Sequence, residues 1–326
     1  MDRTVSLKNI IKSDSYDDYW LFSHRRQDRF LCRLNDKQPQ DEDSILDVYK
    51  FTNCYRALDR VTQHLIKEIT NNSTFSPEDT FLRVIIYKLF NKIETWKALE
   101  EHFGEISLAT FNVEKYAQAL ETRRSSGQKI YSAAYIMPSG SREYGSPTKH
   151  VNNLLMVEHM LKKELHRRVW QAKQLQEIYT LLHEIPSIGR FLAFQYSVDL
   201  CYSSYSGCDE SQFVVAGPGA VRGIHKCFHN VRPDQYEEII KYVTDLQSEE
   251  FERLNLTFTP LKNRNLQLID CQNLFCETDK YLRVKSPHLD RKPSRIKQKF
   301  KPNLTNIEFT LPSKWKAEIP DENLHI

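Results

Sequence analysis

The sequence predicts a mainly helical fold with only a few short strands. Three observations carry that expectation. Nine glycines in 326 residues are set against many long charged and aliphatic side chains. Apolar residues recur at three- and four-residue spacing over long stretches, the period of an amphipathic helix. Residues 181–228 read as two helices joined by a tight turn, Ile185-Pro186-Ser187-Ile188-Gly189. With 40% hydrophobic and 11% aromatic residues, the chain has ample material for a packed core and is unlike a disordered polymer.

Taken in order, residues 1–20 are polar and charged, without the apolar core of a secretory signal. Residues 16–34 interleave aromatics with Arg25, Arg26, Arg29 and Arg33, giving a helix with one basic and one apolar side. Asp43 or Ser44 caps a long helix expected to run to about Thr70. Inside it Asn53, Arg56 and Asp59 form either an exposed ion-pair face or the polar wall of a pocket. Ser76-Pro77-Glu78-Asp79 is a strong helix start, with Ser as N-cap and Pro at the first helical position. The helix or helix pair to His102 carries a core stripe of Phe81, Val84, Ile85, Leu89, Ile93 and Leu99, and Gly104 ends it. Another amphipathic helix covers 112–124. Residues 125–149 are the least regular stretch: 130–137 is a loop or short strand between Gly/Ser-rich turns, able to line a pocket with Tyr131 and Tyr135. Helices follow at 150–165, 167–183, 232–253 and 266–280. No internal repeat is present, and only the tail from about 286 looks detachable, giving one domain over 1–285 and a tail over 286–326.

Charge and cysteine usage narrow the function classes. The net charge is only +3, but residues 280–301 hold nine Lys/Arg against one acid, Asp290. That run reads as a solvated face or as a phosphate contact. The seven cysteines show no CxxC pair, so they are expected to be reduced thiols in a cytoplasmic protein. Cys208, His225, Cys227 and His229 are the nearest approach to a zinc set, and no metal or cofactor is expected. No run approaches the 18 apolar residues of a membrane span.

The central turn carries the first functional argument. Pro186 stops the incoming helix, and Gly189 permits close backbone approach ahead of free N–H groups at Arg190 and Phe191. Those groups and the helix dipole suit a DNA phosphate, as in a helix-hairpin-helix. Ser187 stands where the usual hairpin has glycine, and an ordinary Pro-Gly connector fits the same residues. A second turn, Gly217-Pro218-Gly219-Ala220, leads into a helix with Arg222, His225 and Lys226. The expected DNA contacts are therefore Ser187, Gly189, Arg190, Gly217, Gly219, Arg222 and Lys280.

In helix-hairpin-helix DNA glycosylases a catalytic Asp follows the hairpin glycine by about twenty residues, the place of Asp209 here. Asp18-Tyr19-Trp20 with Arg25-Arg26, the stretch 49–60, and the stretches 185–199, 213–223 and 273–281 together resemble the alpha-glutamyl/putrescinyl thymine pyrophosphorylase family. That family is related to the helical domain of 5-hydroxymethyluracil DNA kinases. The resemblance spans roughly 16–285. It implies a glycosylase-like helical fold, and some relatives look like bacterial defence enzymes that remove hypermodified bases from phage DNA. A kinase reading fails locally, since no GxxxxGK[ST] occurs.

The resemblance implies a monomeric, monofunctional glycosylase that flips a hypermodified pyrimidine out of double-stranded phage DNA and hydrolyses its glycosidic bond. Asp209, Asp199 and Glu210 are the candidate carboxylates for an oxocarbenium-like transition state. Asn53, Arg56, Asp59, Tyr131 and Tyr135 are the candidate base pocket. No Lys follows the hairpin glycine, so no Schiff base is expected. Two alternatives stay open: a base-hypermodifying transferase or pyrophosphorylase acting on an activated hydroxymethylpyrimidine, and a non-catalytic reader of modified DNA.

Overall fold

The computed structural model describes residues 7, 9–39, 41–290, 295–301 and 308–317. The helices in chain order begin with α1 (Tyr16–Leu34), α2 (Ser44–Val48), α3 (Arg60–Leu65), α4 (Pro77–Phe90) and α5 (Ile93–Phe103). They continue with α6 (Val113–Ser125), α7 (Ser141–Tyr144), α8 (Lys149–Lys162), α9 (Leu165–Arg168) and α10 (Leu175–His183). The last are α11 (Arg190–Cys201), α12 (Pro218–Cys227), α13 (Tyr236–Asp245), α14 (Gln247–Arg253) and α15 (Leu268–Lys285). Two short strands, β1 (Ile11–Lys12) and β2 (Phe228–His229), pair antiparallel with Ile11 opposite His229. The fold is mainly α, as composition and period predict.

The helices sort into two compact units. One unit takes the described residues through Asp59 with the described residues of 214–309, and the other takes Arg60–Phe213 with 310–317.

The first unit is built on α15 and α12. Gly219 and Gly223 lie one turn apart on α12 and face α15. A Cβ at Gly223 would sit 2.0 Å from the Phe275 carbonyl oxygen, and one at Gly219 would sit 2.2 Å from Cys276 Sγ. The two helices can approach this closely only because both positions lack a side chain. On α1, Tyr19 and Trp20 are fully buried, and the Tyr19 ring meets Phe275 with centroids 4.4 Å apart.

The long helix expected from 43 to 70 is broken. Asp43 does cap α2, accepting from the Ile45 and Leu46 amides at 3.0 and 3.2 Å. Beyond Tyr49, however, carboxylates take the backbone amides that a helix would have used. Thr52 N donates to Glu277 Oε2 (3.0 Å), Asn53 N to Asp59 Oδ1 (3.1 Å) and Arg56 N to Asp270 Oδ1 (2.7 Å). Two acceptors placed by α15, Glu277 and Asp270, together with the local Asp59, thus outcompete the helix.

In the second unit, α4 and α11 form the centre. Every residue from Thr80 to Phe90 and from Leu192 to Cys201 is buried, so both helices are enclosed by protein on all sides. The Ser76 side chain caps α4 through the Asp79 amide at 3.0 Å, with Pro77 in the first turn as expected. The helix expected over 167–183 is instead α9, a 3-10 turn (Val169–Gln171) and α10. The stretch 130–137 carries no strand; it is a loop. Residues 310–317 pack on this unit, where Gln63 and Asn71 hold their backbone and Trp315 is 2% exposed against the Tyr202 ring. The rest of the basic tail lies partly outside the described residues.

Candidate functional site

The second unit brings three sequence-nominated residues into one neighbourhood: Asp199, Tyr131 and Tyr135. Asp199 on α11 is fully buried and pairs with Lys88 on α4, Oδ2 to Nζ 3.3 Å, with Lys88 1% exposed. Lys88 Nζ also donates to Asn91 Oδ1 at 2.9 Å and lies 4.6 Å from the centroid of the Tyr135 ring. Taking both charges out of water is costly, and mutual attraction offsets that cost only when the pair stays intact. The negative charge of Asp199 in turn helps burial to push the hydroxyls of Tyr87 and Tyr196 upward, keeping both protonated.

The cover over this pair is the irregular loop. Thr95 Oγ1 donates to the Ile130 carbonyl (2.9 Å), and Tyr196 OH donates to Met137 Sδ (2.8 Å), pinning the loop at both ends. Tyr131 OH donates to Asn153 Oδ1 (2.7 Å), while Lys149 Nζ sits 4.5 Å over its ring. Between the pins, Tyr135 stacks on Phe191 with centroids 5.7 Å apart and planes 14° off parallel.

The hairpin lies in the same unit. Gly189 caps α11 in extended backbone, with φ −77° and ψ 167°. It is exposed, and nothing stands within 4 Å of the space its Cβ would take. Ser187 adopts φ 71°, the left-handed turn conformation for which glycine is the usual residue. Its hydroxyl donates to Glu143 Oε2 at 2.9 Å, and Tyr144 OH reaches the Pro186 carbonyl at 3.3 Å. The sequence's departure from the glycine pattern thus keeps the glycine's backbone shape. Arg190 is exposed at the first turn of α11, which contains no acidic residue.

The other carboxylates are placed differently. Asp209 lies half-buried in the turn after α11, where its Oδ1 accepts from Ser211 N at 2.8 Å and closes that turn. Glu210 beside it is 2% exposed.

Asn53, Arg56 and Asp59 belong to the first unit and form a separate polar cluster. Asn53 donates to the Leu58 carbonyl (2.9 Å), and Arg26, half-buried beside the turn, reaches both Asn53 Oδ1 and the Thr52 carbonyl. Glu277 accepts from Thr52 N and from Lys280 Nζ (3.1 Å). Burial pushes the Asp59 carboxyl up to about 6, with nearby Glu277 adding to the rise and the Asn53 amide, Arg56 and Arg26 opposing it. Arg56 itself is fully buried. Gly217 caps α12 and Gly219 is packed against Cys276. Arg222, half exposed, and Lys226 each pair with the buried Asp279 at 3.1 Å, and Arg283 pairs with it at 2.5 Å.

Sequence reading missed Lys88, Arg26 and Glu277. Lys88 left a signal: it stands four residues after Val84 and three after Ile85, on the apolar stripe itself. Among the described residues, no group of three or more His, Cys, Asp or Glu is placed to hold a metal ion. Burial pushes the Cys208 and Cys227 thiols up, away from the thiolate a metal would need. No helix of the described residues is long and apolar enough to cross a membrane.

Comparison with known proteins bears on the reaction. The family described as 5-hmdU DNA kinase, helical domain, matches residues 13–291. A curated protein, the 5-hmdU DNA kinase of Bacillus phage SP10, is 27% identical over 289 residues, covering 82% of this chain and 44% of that protein. The chain therefore spans less than half the length of this relative. No solved structure matches. These findings correct the expected hydrolytic glycosylase: the relative is a DNA kinase, a transferase, and its reaction is not hydrolysis of a glycosidic bond.

Proposed function

The chain belongs to the 5-hmdU DNA kinase helical-domain family, and from that premise we propose that it acts on DNA carrying a modified pyrimidine as a base-modifying transferase. The observation that carries this reading is the match of residues 13–291 to the helical domain of 5-hmdU DNA kinases, a stretch that itself holds no GxxxxGK[ST] phosphate loop. A domain that accompanies phosphorylation of a hydroxymethyl base without the phosphate loop fits the step after activation. In that step a nucleophilic nitrogen attacks the exocyclic methylene carbon on the pyrimidine ring. The C–N bond forms, the C–O bond to diphosphate breaks, and diphosphate leaves with the electron pair.

The second unit's residues supply what this step requires. The exposed Gly189 and the N-terminus of α11 offer backbone N–H groups to a DNA phosphate, the role nominated for Ser187, Gly189 and Arg190. Asp199 accepts the proton that the attacking amine loses. Lys88, its ion-pair partner, lowers the cost of charge building on the departing oxygen. A dry, enclosed setting strengthens both effects.

The test is diphosphate release from duplex DNA bearing 5-hydroxymethyluracil diphosphate ester, with and without added putrescine. Release that depends on the amine supports the reading. Asp199→Asn should then slow release by about 10²- to 10⁴-fold, the usual contribution of a positioned acid or base. Release that is independent of any amine would leave water as the acceptor and refute the transferase.

A further inference from the structure

We propose that Tyr135 occupies the seat of the substrate base, so that the loop around it is displaced when an extrahelical pyrimidine enters. The inference rests on the reading above that this chain acts on a base in DNA.

Three observations converge on Tyr135. First, its phenol ring, a single six-membered ring, already has the two neighbours a pyrimidine ring would use. Phe191 stacks on it at 5.7 Å and 14°, and the Lys88 ammonium lies 4.6 Å from its centroid. Aromatic stacking of this kind is how proteins hold unpaired bases, because every base presents a π-face.

Second, the pair beneath it suits a ring held face-on. The Lys88 ammonium, 3.3 Å from Asp199, lies over the face of the Tyr135 ring and would meet the π-face of a base in the same way. A purine's second ring has no counterpart in the space that a phenol fills.

Third, the backbone at this residue is held in an unfavourable shape. Tyr135 has φ 52°, left-handed backbone that a bulky residue rarely adopts. The next residue, Ile136, is 76% exposed, an apolar side chain left in water. The loop is anchored as far as Ser132, whose amide donates to the Phe90 carbonyl at 2.9 Å, and again at Met137, 2% exposed, so the short segment 133–136 can swing without disturbing the helices. A strained, exposed segment between two pinned ends is a cover that is ready to leave.

In this account the cover lowers apparent affinity by the fraction of molecules in which it is closed. Tyr135→Gly removes the ring and suits the positive φ, so the fold is retained; far-ultraviolet circular dichroism checks this. The probe is a duplex oligonucleotide with one 5-hydroxymethyluracil opposite 2-aminopurine, whose fluorescence rises when its partner leaves the stack. Tyr135→Gly should bind this duplex about tenfold more tightly than the unaltered chain and give a larger fluorescence rise. Phe191→Ala should weaken binding about tenfold, the lower range of a lost base stack. If the unaltered chain binds the modified duplex more tightly than a thymine duplex but Tyr135→Gly binds it equally or less tightly, the seat is not occupied by Tyr135 and the inference falls alone. If the unaltered chain does not distinguish the two duplexes, the functional reading falls and takes the inference with it.

Discussion

Replacing Asp59 by Asn should stabilise the protein at neutral pH and leave it unchanged in acid. Asp59 is half-buried beside Thr52 and Asn53, and burial raises its carboxyl from the usual 3.8 to about 6. Between those two values the folded protein holds a proton that the unfolded chain has released. Stability contributed by this group is therefore full below about pH 4 and is lost as pH rises through about 6. At about 1.4 kcal/mol per pKa unit, the ionised side chain costs roughly 3 kcal/mol above pH 7. Asn keeps the acceptor for the Asn53 amide, whose donor–acceptor distance is 3.1 Å, while removing the buried charge. Urea unfolding at pH 7.5 should place Asp59→Asn about 2–3 kcal/mol above the unaltered chain, with the difference closing by pH 4. A difference that stays constant from pH 4 to 7.5, or a variant less stable at pH 7.5, would refute the argument.

Other perturbations follow from the same geometry. Lys88→Met leaves a buried Asp199 uncompensated and should cost about 3–5 kcal/mol in urea unfolding, whereas the double change Lys88→Met with Asp199→Leu should recover most of it; a single variant as stable as the unaltered chain would contradict the buried pair. Gly223→Ala forces a Cβ to within 2.0 Å of the Phe275 carbonyl, a backbone atom that cannot step aside. It should lower stability by about 3 kcal/mol or more, read as a fall in the melting temperature. Gly189→Ala meets nothing within 4 Å, so its stability should change by no more than about 1 kcal/mol. Its DNA affinity, measured by fluorescence anisotropy, should drop if a phosphate approaches that backbone.

What the sequence made legible was local. The α4 cap needed only Ser76 and Pro77, and the turn at 185–189 needed only a proline, a glycine and the apolar residues that flank them. Helical class followed from composition and spacing. What stayed hidden depended on partners far along the chain. The helix expected across 43–70 breaks because Glu277 and Asp270, more than 200 residues away, capture the amides of Thr52 and Arg56. The polarity of Asn53 and Asp59 was visible, but not that Arg26 satisfies one of them. Lys88 sits on the apolar stripe of α4, but no local rule says that a lysine there faces a buried aspartate on α11. Gly219 was expected to contact DNA from its Gly-Pro-Gly turn, while close packing against Cys276 accounts for the missing side chain.

The reaction itself is the least local property, since one helical scaffold can hold a base for excision or for substitution. The most direct measurement is therefore the fate of the base. Duplex DNA bearing 5-hydroxymethyluracil diphosphate ester would be incubated with the protein and putrescine, digested to nucleosides and examined by mass spectrometry. The account predicts a nucleoside with an intact glycosidic bond, heavier than thymidine by the amine it has gained, and no abasic sites. Free modified base accompanied by abasic sites would contradict it.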